Sequence, residues 1–371
     1  MTPSRIAIFA ATSGHSGVDR IIRNLAPELA RRGVAVDILK VDDHGPDLQQ
    51  IHEGVRVVRL GHRHANTSLL ALVSYLRRER PDALLSDKDR VNRTALRACR
   101  LARVPTRRVV RFGTTVSVNL AGKSRWERWA QAFSIRHFYR HADAVVVPSH
   151  GVKTDLVTTY GLPPEQIHVI ANPVVTPQLD SLAREDVVMP WPDTASTPVV
   201  VGVGEHSQRK DFATLVRAFA AIREERPCRL LLVGVGRETP ALRRLGEELG
   251  LQQDIAFTGF VDNPYPYIAR SAVLALTSRW EGMGVVLAEA LALGVQVVST
   301  DCPNGPREVL QDGRAGHLAR VGDVDDVARG LRHALDHPIP RETVLAAAEP
   351  YHVEQSANAY LQVLGLPAKS A

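Results

Sequence analysis

Short apolar runs rich in valine, isoleucine and leucine recur along this 371-residue chain, with room for about one helix between successive runs. The pattern occurs twice, on either side of a proline-rich break. No other feature constrains the fold as much. A strand followed by a crossover helix and another strand joins a parallel sheet, and such sheets are covered on both faces. In the first half the runs are 5–10, 34–40, 55–60, 83–86, 107–111, 144–148 and 168–170. In the second half they are 199–203, 229–234, 255–257, 273–277, 295–300 and 316–319. A loop of small residues follows the first run, then a helix over about 19–32 that Gly33 ends at a left-handed cap. Pro173, Pro177, Pro190, Pro192 and Pro198 mark 173–198 as a linker.

Length agrees with that division, since 371 residues exceed one ordinary core and suit two domains of about 150–200 residues each. The expected domains are 1–180 and 181–350, with 351–371 carrying a closing helix (353–364) that packs back toward the first domain. Each domain is expected to be a Rossmann-like, doubly wound α/β sheet. Ligands of such sheets bind outside the carboxyl ends of the strands, so a cleft between two facing sheets is the expected site. An apolar content of 44% with 23% charged residues excludes a disordered or fibrous chain. Cys99, Cys228 and Cys302 are scattered, without ligand spacing or a disulfide framework, as in a reducing cytosol. The opening apolar run is too short for a signal peptide and reads as a first strand, and no later stretch suits a membrane span. A cytoplasmic protein, peripheral on the inner membrane face, is the expectation.

The net charge of +6 is concentrated. Between Arg77 and Arg140 stand 17 Lys or Arg against 5 Asp or Glu, leaving the remainder net acidic. A basic field of that size favours phospholipid headgroups, a lipid diphosphate or an acidic glycan. Arginine used simply as a surface residue is the alternative reading. Nucleic acid is not expected as a partner.

The chemistry concentrates in Ser278-Arg279-Trp280-Glu281-Gly282-Met283-Gly284-Val285-Val286-Leu287-Ala288-Glu289-Ala290. An apolar strand ends, a glycine-containing turn follows, and an apolar helix starts near Gly284. Glu281 and Glu289 are eight residues apart, about 12 Å if wholly helical. That is about the reach from the sugar of a nucleotide sugar to its ribose. Amides at Gly282, Met283 and Gly284 between them suit a diphosphate, and the carboxylates suit sugar and ribose hydroxyls. An exposed helix glutamate is the plainer reading of Glu289. Within an apolar helix, burial would demand a partner for it.

This segment resembles the E-x7-E motif of the glycosyltransferase group 1 family, retaining enzymes of the GT-B fold. The likeness extends through Ala292-Leu293-Gly294-Val295 to Cys302-Pro303-Asn304-Gly305-Pro306-Arg307-Glu308, and earlier to Gly17-Val18-Asp19-Arg20 and Ala142–Ser149. The resemblance implies that Glu281 contacts the donor sugar and Glu289 the ribose, while amides from Gly282 to Val285 line the diphosphate. It implies likewise that Lys210, in Gly202-Val203-Gly204-Glu205-His206-Ser207-Gln208-Arg209-Lys210, binds the donor phosphates and offsets charge on the leaving diphosphate.

Two positions depart from the family pattern. Glu205 stands where an arginine is usual, with Arg209 and Arg307 as candidates to supply the charge. Arg111-Phe112-Gly113-Thr114-Thr115 lacks the histidine that many relatives carry, leaving backbone amides and the Thr114 hydroxyl for that contact.

The expected reaction is a front-face, configuration-retaining transfer to a glycan or lipid-linked acceptor. A nucleotide diphosphate sugar, with UDP as the favoured carrier, is co-substrate, and no cofactor or metal is expected. A GT-B epimerase and a non-catalytic nucleotide-sugar binder are the alternatives. A nicotinamide dehydrogenase is disfavoured, because Gly234-Val235-Gly236 lacks the third glycine of its fingerprint. The resemblance puts the acceptor on the first domain, with Gly17 in the loop facing the diphosphate. Trp126, Trp129 and Phe133 stand at helical spacing among Arg125, Arg128, Arg136 and Arg140, after Lys123. Such a stripe either faces a core or rests on an anionic membrane.

Overall fold

In the computed structural model, residues 4–11, 17–42, 52–120, 124–191 and 197–367 are described. The small-residue loop at 12–16, Lys123, and Pro192 within the linker lie outside them. The chain forms two compact units, residues 1–174 with 351–371, and residues 175–350.

In the first unit seven parallel strands are ordered β3-β2-β1-β4-β5-β6-β7. They are β1 (Arg5–Ala10), β2 (Ala35–Lys40), β3 (Val55–Arg59), β4 (Ala83–Asp87), β5 (Arg107–Arg111), β6 (Ala144–Val147) and β7 (Ile167–Val169). Successive side chains of a strand point to opposite faces. Ile6 and Ile8 of β1 therefore enter one apolar core, while Ala7 and Phe9 enter another on the opposite side. The helix Gly17–Arg31 is followed by Gly33 at φ +81°, whose amide donates to the Ala30 carbonyl at 2.9 Å. The closing helix Val353–Val363 belongs to the same core through Ala357, Tyr360 and Leu361. It is also tied by Arg107 Nε, which donates to the Val363 carbonyl at 2.7 Å.

Six parallel strands form the second unit, ordered β10-β9-β8-β11-β12-β13. They are β8 (Val199–Val203), β9 (Arg229–Val233), β10 (Ile255–Gly259), β11 (Val273–Leu276), β12 (Gln296–Thr300) and β13 (His317–Ala319). The chain runs from β8 outward to β10, then returns to start again at β11 beside β8. The loops leaving β8 and β11 thus diverge from adjacent strand ends, the arrangement that opens a crevice in doubly wound sheets. The first unit has its own reversal between β1 and β4.

All thirteen expected runs are strands, with ends moved by at most two residues. The proline-rich stretch also holds a short helix, Leu179–Ala183. No helix among the described residues is long and apolar enough to cross a membrane.

Leu361 is fully buried between the closing helix and the first sheet. Leu361→Ala should destabilise the first unit by about 2–5 kcal/mol. A urea melt with an unshifted midpoint would show that the helix contributes little to that unit.

Candidate active site

The second unit's site is assembled by three neighbouring strand ends. After β8 the chain reaches Arg209 and Lys210, and Asp211 then adopts φ +46° as it caps the helix Phe212–Glu225. After β11 comes Thr277 to Gly284. The two segments are laced together by Arg279 N–H on the Arg209 carbonyl at 2.8 Å, Thr277 Oγ1 on the Asp211 carbonyl at 3.0 Å, and Arg279 Nε on Asp211 Oδ2 at 3.1 Å. From the next strand end, Thr300 Oγ1 donates to the Ser278 carbonyl at 2.6 Å. These bonds fix the backbone on both sides of the carboxylate that matters most.

That carboxylate is Glu281, which is 6% exposed. Lys210 Nζ donates to its Oε1 at 2.6 Å, Ser278 Oγ to the same oxygen at 2.7 Å, and Arg209 Nη1 to Oε2 at 2.9 Å. Burial alone would push its carboxyl up, but Lys210 and Arg209 outweigh burial and hold it below the ordinary range. Neighbouring Cys302 is pushed up to about 12, first by burial and then by Glu281. It is therefore a neutral thiol rather than a nucleophile.

The turn from Glu281 to the helix is held closely. Gly284, at φ +81°, is the N-cap of the helix Val285–Ala292. Gly305 has φ +114°, and a Cβ there would lie 2.4 Å from Met283 Cα, so backbone packs directly on backbone. Glu281 and Glu289 are consequently not separated by eight residues of helix, because only Val285 to Glu289 are helical. The 12 Å helical rise does not apply. The donors that a helix start leaves without intrahelical partners also begin near Gly284 and Val285, while Gly282 and Met283 belong to the preceding turn.

Glu289 is 1% exposed and accepts a hydrogen bond from the Tyr265 hydroxyl at 3.1 Å. It is not an exposed helix glutamate. Tyr265 starts the short helix Tyr265–Ala269, 24 residues before its partner. Ser278 and Tyr265 are the two site residues the sequence reading missed. A hydroxyl three residues before a motif glutamate was the available signal for Ser278, and nothing local marks Tyr265.

Of the two candidates to replace the usual arginine, Arg209 reaches Glu281, whereas Arg307 pairs with Asp301. Glu205 is exposed. Beside it His206 is buried against Phe212 and Phe257, its Nδ1 2.9 Å from Thr239 Oγ1. Burial, then Arg243, pushes its pKa down to about 4, so it is a neutral ring under the loop. A cavity of about 330 Å³ lined by Ser207, Asp211, Phe212, Glu238, Leu242 and Arg279 lies along the same loop but touches neither glutamate of the motif.

In the first unit, Gly17 is the exposed first residue of its helix, with open space where a side chain would project. Thr114 is exposed just beyond β5. Where the missing histidine was considered, Arg111, Phe112 and Thr115 are buried. Arg111 is ion-paired with Asp87 and donates to Asn172 Oδ1 at 2.5 Å.

A family model for group 1 glycosyl transferases matches residues 197–337, and one for glycosyltransferase family 4 matches residues 15–178. The chain carries a group 1 glycosyl transferase domain in its second unit and a glycosyltransferase family 4 domain in its first. It is 27% identical over 365 residues to the lipopolysaccharide core biosynthesis glycosyltransferase LpsE of Rhizobium meliloti, covering 94% of this chain and 95% of that one. It is 30% identical over 231 residues to a Campylobacter jejuni N-acetylgalactosaminyltransferase named for a diphospho-undecaprenol substrate. That match spans 62% of this chain and 61% of the relative. Among solved structures it resembles HepE of Anabaena in complex with UDP (TM-score 0.77, 19% identity) and a sucrose-phosphate synthase from Thermosynechococcus elongatus (TM-score 0.79, 20% identity). Both alignments cover 97% of this chain, with 99% of HepE and 98% of the synthase. The fold is that of these two-domain GT-B proteins.

The ion cluster around Glu281 has a pH signature. Because the folded Glu281 carboxyl is depressed, its stabilisation is complete above the unfolded value of about 4.3 and is lost as pH falls through the folded value. Glu281→Gln should cost about 2 kcal/mol near pH 7, and the cost should shrink steadily below about pH 4. Urea midpoints compared across that range test this. A cost that stays constant into strong acid would contradict an ionised Glu281.

Proposed function

We propose that this chain is a retaining transferase. It moves a hexosyl or N-acetylhexosaminyl group from a nucleotide diphosphate sugar to a hydroxyl of a glycan or lipid-linked acceptor. The observation that carries the reading is the buried Glu281 gripped by Lys210 and Arg209 at the reversal point of the second sheet. Two cations beside a helix start are a natural seat for a diphosphate. In the bound state those cations would turn part of their charge to the phosphates, and Glu281 would accept from hydroxyls of the sugar. Glu289, held by Tyr265, would accept from the ribose. UDP is the favoured carrier, supported by the UDP complex of HepE. A lipid-linked acceptor is favoured by the names of the lipopolysaccharide-core and diphospho-undecaprenol relatives. Gly17 and Thr114 belong to the acceptor side.

The chemistry asked of the site is charge stabilisation. The bond between the anomeric carbon and the phosphate oxygen lengthens, and negative charge grows on the diphosphate beside Lys210 and Arg209. The acceptor hydroxyl attacks the same face of the sugar, and its proton passes to the departing phosphate oxygen. The new glycosidic bond keeps the anomeric configuration, and the products are the glycosylated acceptor and the nucleoside diphosphate. Glu281 already carries a salt bridge to Lys210, so it is cast as a binding group and not as a covalent nucleophile. With the charge met by side chains and the helix start, the reading requires no metal.

The test is a panel of nucleotide sugars offered with lipopolysaccharide-core and polyprenyl-diphosphate saccharides, following release of nucleoside diphosphate. Lys210→Ala and Glu281→Ala should each lower turnover more than about tenfold, a loss of more than about 1.4 kcal/mol of transition-state stabilisation, with the fold retained. Near-normal rates would refute those roles. Donor binding without release would replace transfer with a binding role, and exchange at a sugar carbon without transfer would favour epimerisation.

A further inference from the structure

The helix Arg125–Phe138 in the first unit carries its largest apolar side chains outward. Its start is fixed by a capping box: Glu127 N–H donates to Ser124 Oγ at 3.2 Å, and Ser124 N–H returns to Glu127 Oε2 at 3.0 Å. Ile135 is fully buried and Ser134 is 5% exposed, which anchors one face. Trp126, Trp129 and Phe133 are 70%, 57% and 55% exposed. At 3.6 residues per turn they form one stripe with His137, roughly opposite Ile135. The rings stack in sequence, with centroids 5.0 Å, 5.7 Å and 5.6 Å apart from Trp126 through Trp129 and Phe133 to His137. The ridge is therefore a single ordered apolar surface rather than three separate exposed residues.

Its surroundings select the occupant. Arg125 and Arg136 fall on one flank of the stripe, and Arg136 is braced by its Nε on the Tyr160 carbonyl at 3.1 Å. Arg97 lies over the Phe138 ring at 4.7 Å, and exposed Arg140 follows the helix. Burial first, then Arg140 and Arg100, pushes the His141 pKa down, which reports cations crowded at this end. The helix's one acidic residue, Glu127, is engaged in the cap. A second copy pressed on the ridge would bring its own arginines against these, at a cost in repulsion. Tryptophans on a basic helix suit the headgroup layer of an anionic bilayer, where indole rings sit among lipid carbonyls and arginines meet phosphates.

We propose that the helix Arg125–Phe138 is a membrane-docking element that lays Trp126, Trp129 and Phe133 into the surface of a bilayer containing anionic phospholipid, with Arg125 and Arg140 on the lipid phosphates. This goes beyond the transfer reading and does not rest on it, since none of these residues belongs to the donor site.

The experiment is sedimentation of the full chain with vesicles of phosphatidylcholine alone and of phosphatidylcholine mixed with phosphatidylglycerol, alongside its solution mass. The wild type should bind the mixed vesicles and not the neutral ones. A variant carrying Trp126→Ser, Trp129→Ser and Phe133→Ser should bind at least about tenfold more weakly with its melting temperature unchanged. A second variant, Arg125→Glu with Arg140→Glu, should lose binding by a similar factor, about what two surface cations contribute, and it keeps the test open if the first folds poorly. Failure of the wild type to bind mixed vesicles would overturn the proposal, as would full binding by the aromatic variant. So would a wild-type dimer that the aromatic variant dissolves without any vesicle binding, since the ridge would then be a self-association face.

Discussion

A carboxylate removed from water is costly unless cations compensate it, and the second unit is organised around one such charge. Glu281 is held by Lys210 and Arg209 from a neighbouring loop and by Ser278 from its own. Remove the cations and the carboxylate would have to protonate or move. Remove the carboxylate and two positive charges would face each other across a partly buried turn. Each therefore maintains the other in the geometry that the proposed diphosphate and sugar would meet.

The fold supplies this geometry through topology. Loops leaving β8 and β11 arise from strands that are adjacent in the sheet but distant in the chain, so residues 71 and 72 positions apart become partners. The backbone bond from Arg279 to Arg209 and the bond from the Thr300 hydroxyl to the Ser278 carbonyl then remove the freedom those loops would otherwise have. Gly305 pressed on Met283 completes the turn from the third strand end. A preorganised site of this kind need not order its own groups when substrate arrives.

The strands were legible because a fully covered parallel strand must be apolar along its length, and β-branched runs between turn residues carry that information locally. Gly33 was legible for a related reason, since it occupies a left-handed conformation that a side chain would resist. The E-x7-E spacing singled out two glutamates that are both buried but misrepresented the path between them, because the glycine turn delays the helix to Val285. Tyr265 for Glu289, and Asp87 with Asn172 for Arg111, were illegible. These polar partners meet through sheet order, which residue spacing does not encode. The ridge Trp126–Phe133 was ambiguous for another reason. Helical spacing aligns the rings equally well toward a core or toward solvent, and only the burial of Ile135 on the other face decides the direction.

The most direct test of this account is the crystal structure of the protein with an intact nucleotide sugar bound. The account predicts the diphosphate against Lys210, Arg209 and the amides from Gly284 onward, the sugar hydroxyls on Glu281, and the ribose hydroxyls on Glu289. A nucleotide bound away from the β8 and β11 strand ends, or one whose ribose and sugar ignore both carboxylates, would contradict it.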